Sequence, residues 1–436
     1  MSCAWRYCCF DVDSLIALLA LIGMLIIGVP IFVALGVVSV AMLSFEGRPL
    51  FDAALTAISG LNSSAFVAVL FFVVAAKFMQ QGGIARVLID AAEAWVGWMR
   101  GGIGLVAVLG TTFFAAVSGS SVVTAMTMGT LLIPAMVAKH YDRPFALGTL
   151  GAAGTLGILI PPSLSMILYG LIANESVARL FLAGLIPGLV QASILAIWVV
   201  IYSRRKGYAS GAPVAREEFV RRNVRALPAL LIPAIIFIGI YGGYATVAES
   251  AGLAAVAALA VAVFVYREIQ GRAIFGLISE AVKSASAITF IVMFALLFAH
   301  WLAGSGVPQA IVEFAVGNEL ESWQFLLFLS LVMIVLGMVL DAIAVLLIVT
   351  PIVLPALAGL GIDRVHFCIL LIVNMEIAFL TPPIGLNLFV LSNIAKAPIT
   401  ETIRGVAPFI VLLLGFLLLI MFFPQLSLWL PNAVYG

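Results

Sequence analysis

Two stretches decide the fold: Gly154-Thr155-Leu156-Gly157-Ile158-Leu159-Ile160-Pro161-Pro162-Ser163, and Asn374-Met375-Glu376 running on to Thr381-Pro382-Pro383-Ile384-Gly385. They lie 221 residues apart, with Pro161-Pro162 falling on Pro382-Pro383. Each sits inside a long apolar run, 145–174 and 365–393. A proline removes a backbone donor and its ring clashes with the preceding turn, so each run reads as a helix broken into two halves. Such a break frees carbonyls to coordinate a cation. Half-helix N-termini and unpaired amides beside it can face an anion.

Working outward at the same offset, Pro134-Ala135 meets Pro355-Ala356, Asp142-Arg143 meets Asp363-Arg364, Gly184 meets Gly405 and Pro187 meets Pro408. No gap is needed at these positions, so the chain reads as two repeats. Each repeat carries, before its broken helix, an apolar stretch nearly twice the length of one membrane crossing: 101–138 and 323–360. The first is interrupted by Ser118-Gly119-Ser120-Ser121 and the second by Asp341. Each therefore reads as a helical hairpin that enters and leaves on one side. Irregular backbone at that depth is tolerated only where protein or a water-filled cavity surrounds it.

The chain has 436 residues, 64% hydrophobic and 9% charged, which leaves too little polar surface for a water-soluble body. A bilayer core about 30 Å thick takes roughly 20 apolar residues per helix. Full crossings are expected near 14–45, 62–80, 145–174, 178–203, 227–246, 249–266, 284–303, 365–393 and 405–434. Residues 1–13 read as a tail without a cleavable signal peptide, 14–203 as the first repeat, 204–226 as a linker and 227–436 as the second repeat. The linker holds Arg204, Arg205, Lys206, Arg216, Arg221, Arg222 and Arg225, which makes it cytoplasmic by the positive-inside rule. Counting crossings from it puts the first hairpin base, flanked by Arg86, Arg100, Lys139 and Arg143, on the cytoplasmic side as well. The second base, preceded by Glu313, Glu319 and Glu321, then falls outside. The repeats are thus expected to be inverted, with a cytoplasmic N-terminus and a periplasmic C-terminus. Residues 86–100 and 267–283 read as a matching pair of interfacial amphipathic helices.

These strings resemble the large membrane subunit of tripartite ATP-independent periplasmic (TRAP) transporters. The resemblance is carried by Ser118-Gly119-Ser120-Ser121 with Ile133-Pro134-Ala135-Met136, by Gly154 through Ser163, by Gly184-Leu185-Ile186-Pro187-Gly188, and by Thr381-Pro382-Pro383-Ile384-Gly385-Leu386-Asn387. It covers nearly the whole chain after residue 14. It implies an all-α, inverted-repeat elevator-type bundle in the bacterial inner membrane, with two re-entrant hairpins and two broken helices. It implies sodium-coupled uptake of a carboxylate-bearing solute, in the branch served by the dicarboxylate and sialic-acid type of binding protein. A periplasmic binding protein would deliver that solute, and a small membrane subunit would sit beside this chain. Na+ is the coupling ion and no other cofactor is implied.

The candidate sodium ligands are Ser118, Gly119, Ser120, Ser121, Gly154, Thr155, Gly157, Asp341, Met375, Glu376 and Thr381. The candidate substrate contacts are Ser120, Pro162, Ser163, Ser165, Asp341, Pro383, Gly385 and Asn387. Each has a plainer reading beside it. The serines around Gly119 also suit close helix packing. Asp341, in a stretch without Lys or Arg, reads as a cation ligand, a proton carrier or the partner of a distant basic group. Glu376 reads equally as a site residue or a structural acid facing a cavity. Ser163, Ser165 and Asn387 can simply bond back to the backbone. Lys77, Glu249 and His300 read as interface or packing residues.

Other functions lack their signatures. No His-Glu-x-x-His, Gly-x-Ser-x-Gly or phosphate loop occurs, so an enzyme is not expected. Cys3, Cys8, Cys9 and Cys368 show no metal-ligand spacing with the histidines. A net charge of +1 gives no electrostatic case for nucleic acid. Polarity confined to tips and breaks argues against a channel. A partner-independent, ion-coupled elevator transporter of an organic anion is the alternative.

Overall fold

The computed structural model describes residues 12–436, so the cysteines of the N-terminal tail lie outside the described residues. The first half runs α1 (Val12–Ile26), α2 (Ile31–Phe45), α3 (Leu50–Leu61), α4 (Ser64–Gln81), α5 (Ile84–Val96), α6 (Gly102–Ser118), α7 (Ser121–Ala138), α8 (Arg143–Leu159), α9 (Leu164–Ala173) and α10 (Val177–Lys206). The second runs α11 (Arg216–Tyr241), α12 (Val247–Ala260, extended by a π-turn at Val261–Val265), α13 (Gly271–Ala303), α14 (Val307–Gly317), α15 (Ser322–Gly337), α16 (Ala342–Gly359), α17 (Arg364–Leu380), α18 (Leu386–Ala395), α19 (Ile399–Phe422) and α20 (Gln425–Tyr435). Among the described residues the one β contact is an isolated bridge between Arg100 and Ser210. Eight helical spans among the described residues are long and apolar enough to cross a membrane, α8 and α9 together making one of them, or nine with the bent pair α3–α4.

The helix ends follow from local chemistry. Ser63 caps α4 by accepting from the Phe66 N–H at 3.2 Å, and Thr246 and Glu249 form a capping box at α12. α10 ends in Arg204, Arg205 and Lys206 followed by a left-handed Gly207, where cations suit the negative end of the helix dipole.

Two helices form the centre. In α8 every residue from Phe145 to Leu159 is buried, and in α17 every residue from Val365 to Leu380. A helix apolar all round is one enclosed by other helices. Close crossings seat them: a Cβ on Gly148 would stand 2.0 Å from the Gly405 carbonyl oxygen, so α8 and α19 meet backbone to backbone there. Around α8 and α17 pack α6, α7, α10, α15 and α19. The short helices after the breaks exchange halves, with α9 against α16 and α18 against α7. A second group forms where α4 packs on α12 and α13 packs on α2, α3 and α4. α5 joins the two groups by packing on both α6 and α11, and Arg222 of α11 meets Glu93 of α5 at 2.9 Å.

Four expectations change. Residues 14–45 form two helices, α1 and α2, separated around Gly28 to Pro30. Each is about 22 Å long at 1.5 Å per residue, short of a full core crossing. Residues 405–434 divide at Phe423-Pro424 into α19 and α20, and α20 folds back against α10 and α17. At the 221-residue offset the helix matching α5 is α14, which packs on α16, whereas most of 267–283 is the start of the continuous 33-residue α13. Finally, the offset slips. α7 and α8 match α16 and α17 at 221 residues at both ends, but α9 and α18 match at 222. Gly385, at φ 50°, takes up the extra residue in the second break.

Candidate functional site

Gly119 turns the first hairpin at φ 63°, a conformation that disfavours side chains. Its own break packs directly against it. The Leu164 N–H donates to the Gly119 carbonyl at 3.4 Å, and a Cβ on Gly119 would lie 2.9 Å from the Pro162 oxygen. Ser118 hydrogen-bonds the Thr124 hydroxyl, and Thr124 Oγ1 also donates to the Ser120 carbonyl at 2.7 Å. Gly154 and Gly157 let α8 approach this turn: Cβ atoms there would fall 2.7 Å from Ala125 Cβ and 2.6 Å from the Ser120 oxygen. Ser118 to Ser121 are thus brought together with Gly154, Gly157 and Pro162.

The second break reaches the same place. Asn387 Nδ2 donates to Ser121 Oγ at 2.9 Å, with both side chains buried. This bond spans the two repeats, joining the helix after the second break to the tip of the first hairpin. The Asn387 Oδ1 atom is buried without a partner, an oxygen available to a cation. Gly385 lies two residues before it, at the N-terminus of α18.

The second hairpin tip is built differently. Asp341 Oδ1 accepts from the Ala344 N–H at 2.7 Å, capping α16. Among the described residues Asp341 is in no salt bridge, so the distant-base reading finds no support. The Ile384 N–H donates to the Met338 carbonyl at 3.3 Å, tying this tip to the second break, where Pro383 is exposed. Met375 packs beside Gly337 of α15. Thr381 donates to the Ile377 carbonyl at 2.7 Å and Ser163 to the Ile158 carbonyl at 2.6 Å, so both hydroxyl protons serve the backbone. Ser165 is buried in α9.

Glu376 and Thr155 do not join the tips. They form a separate interior cluster with Gln191 of α10. Gln191 Nε2 donates to Thr155 Oγ1 at 3.3 Å, and the Gln191 side chain borders Glu376. Both Glu376 oxygens and Gln191 Oε1 are buried without a hydrogen-bond partner. Unpaired acceptors at that depth are costly.

Two residues escaped the sequence reading, and a third, Lys77, reads from sequence only as an interface or packing residue. Thr124 carries the hydrogen bonds that shape the first tip, Gln191 borders the buried acid, and Lys77 faces a cavity of about 210 Å³ between α4, α13 and the first tip. Gln191 had a readable signal, being the lone amide in the apolar body of α10.

Two hairpin tips, two broken helices and a cavity beside them, all within an all-helical bundle, define a membrane transporter fold. The same fold is seen in the YdaH transporter of Alcanivorax borkumensis, with a TM-score of 0.64 over 86% of this chain and 88% of that one, at 15% identity. The family is set by sequence. The model of the tripartite ATP-independent periplasmic transporter, DctM component, matches residues 18–426, and the chain belongs to that family. It is 41% identical to a C4-dicarboxylate TRAP transporter large permease, DctM, of Pseudomonas aeruginosa, over 84% of this chain and 86% of the relative. It is 31% identical to the sialic acid TRAP transporter large permease SiaM of Vibrio cholerae, over 95% of this chain and 97% of the relative. These relatives are permeases, not enzymes.

Proposed function

We propose that this chain imports a carboxylate-bearing solute, a C4-dicarboxylate, sugar acid or sialic acid, coupled to sodium and by an elevator movement. A periplasmic binding protein hands over the solute, and a small membrane subunit holds the static part of the chain in the inner membrane. The observation that carries the reading is the Asn387–Ser121 bond, which makes one site out of elements from both repeats. A first sodium site would use Ser118 to Ser121 with Gly154, Gly157 and the free Asn387 oxygen. A second would use Asp341 with Met375 and Thr381. Sodium prefers oxygen ligands, and tips and breaks offer carbonyls and hydroxyls without stripping a helix of its bonds. Because both tips share the site, α6–α10 and α15–α19 travel together while α2–α4 and α11–α13 stay fixed. In the inverted arrangement the first hairpin gates the cytoplasmic side.

The test is uptake into proteoliposomes holding this chain alone, with the small subunit, and with both partners, in sodium or potassium medium. Uptake is expected only with all three components and sodium. Robust uptake by the chain alone would overturn the tripartite reading in favour of a partner-independent elevator, and equal uptake in potassium would remove sodium coupling.

A further inference from the structure

The cavity beside the first tip has a cation on its fixed wall. Val73, Ala76, Lys77 and Gln80 recur at helical spacing along one face of α4 and line it, with Ser284 and Ile288 of α13 alongside. Opposite stand Ser118, Gly119, Ser120 and Pro162, the tip and break already described. Lys77 is the one basic side chain among the lining residues. Its Nζ meets Glu280 of α13 at 3.6 Å, with the lysine side chain 27% and the glutamate 57% exposed.

We propose that Lys77 is a carboxylate-binding subsite on the static side of the transport path, with Glu280 as the competitor that occupies it when no solute is there. The inference rests on the carboxylate-solute reading above and names the residue that meets the anion. A half-exposed ion pair at that distance is weak. It holds the ammonium in place without committing it. An anionic solute carried on the moving tip needs a countercharge where it leaves the tip's own hydrogen bonds, and Lys77 is positioned to supply one only when the tip faces α4. Glu280, the more exposed partner, is held to Lys77 only loosely and is readily displaced.

The test uses the complete three-component complex in proteoliposomes, with half-saturating internal concentration measured by counterflow for succinate, galacturonate and N-acetylneuraminate. Lys77→Gln should raise the half-saturating internal concentration about tenfold, the effect of losing one hydrogen bond to a charged group. Glu280→Gln should lower it, and Lys77→Arg should restore most of the wild-type value. A purely structural ion pair predicts the opposite pattern, both neutral variants shifting the same way. Equal shifts, or an unchanged value in a well-assembled Lys77→Gln complex whose wild type carries one of the three acids, would overturn this inference alone. A wild type that carries none of them would overturn the carboxylate reading and this inference together.

Discussion

The Asn387–Ser121 bond can be broken from either end, and the two ends should not act independently. Asn387→Leu keeps the side chain's size and removes the donor. Ser121→Ala removes the acceptor. The two residues are 266 apart in sequence, 2.9 Å apart in space and both essentially inaccessible to solvent. Hydrogen bonds between membrane helices average about 0.6 kcal/mol in double-mutant cycles and reach about 1.7. A short bond between two enclosed groups belongs in the upper half of that range, so a coupling of about 1–1.5 kcal/mol is expected, equivalent to about 5- to 13-fold in an equilibrium constant. Single-variant stability is a poor guide, since Asn387→Leu also removes the unpaired Oδ1 atom and gains back part of what it loses. The cycle cancels that contribution.

The measurement is the sodium concentration giving half-maximal uptake by the complete complex. Each single variant should raise it, and the double variant should do no worse than the more damaged single. If the two effects multiply, leaving a coupling below about 0.3 kcal/mol, the bond does not link the repeats energetically and the shared-site reasoning fails.

Asp341→Asn should keep the α16 cap yet flatten the sodium response of uptake, whereas Asp341→Ala should lose both, and an unchanged sodium curve in the Asn variant would return Asp341 to a capping role only. Gly148→Ala forces a Cβ to 2.0 Å from the Gly405 oxygen and should cost about 1–3 kcal/mol in thermal denaturation of the purified chain, while Gly415→Ala, with nothing within 4 Å, should be neutral. Phe72 of α4 and Phe181 of α10 have ring centroids 6.2 Å apart across the groups proposed to be fixed and moving, so cysteines there, joined by a short thiol cross-linker after replacing the native cysteines, should stop uptake. Full uptake at complete cross-linking would exclude sliding between those helices and leave local gating.

The parts legible in the sequence are those whose cause is covalent and local. Pro161-Pro162 and Pro382-Pro383 break their helices because proline has no N–H to give, whatever surrounds it. Gly119 turns the first hairpin because only glycine takes φ 63° freely. The same logic was available at Gly28-Val29-Pro30, where the division of 14–45 into α1 and α2 is written in residues of the same kind. Tertiary partnership is another matter. Asn387 reads as a residue that bonds back to its own helix, and only the packing of α18 on α7 turns its amide toward Ser121. Charge pattern misled at 267–283 for a related reason. Amphipathicity reports that a helix has two unlike faces, not which neighbour covers the apolar one. α13 packs on α2, α3 and α4 and touches α16 as well, and α14, with the plainer sequence, packs more closely on that second hairpin. Lys77 illustrates the same limit from the other side. A lone lysine near a span end is ordinarily a snorkelling residue, and its meaning here comes from the first hairpin tip standing across a cavity from it, a relation set by how two distant parts of the chain pack.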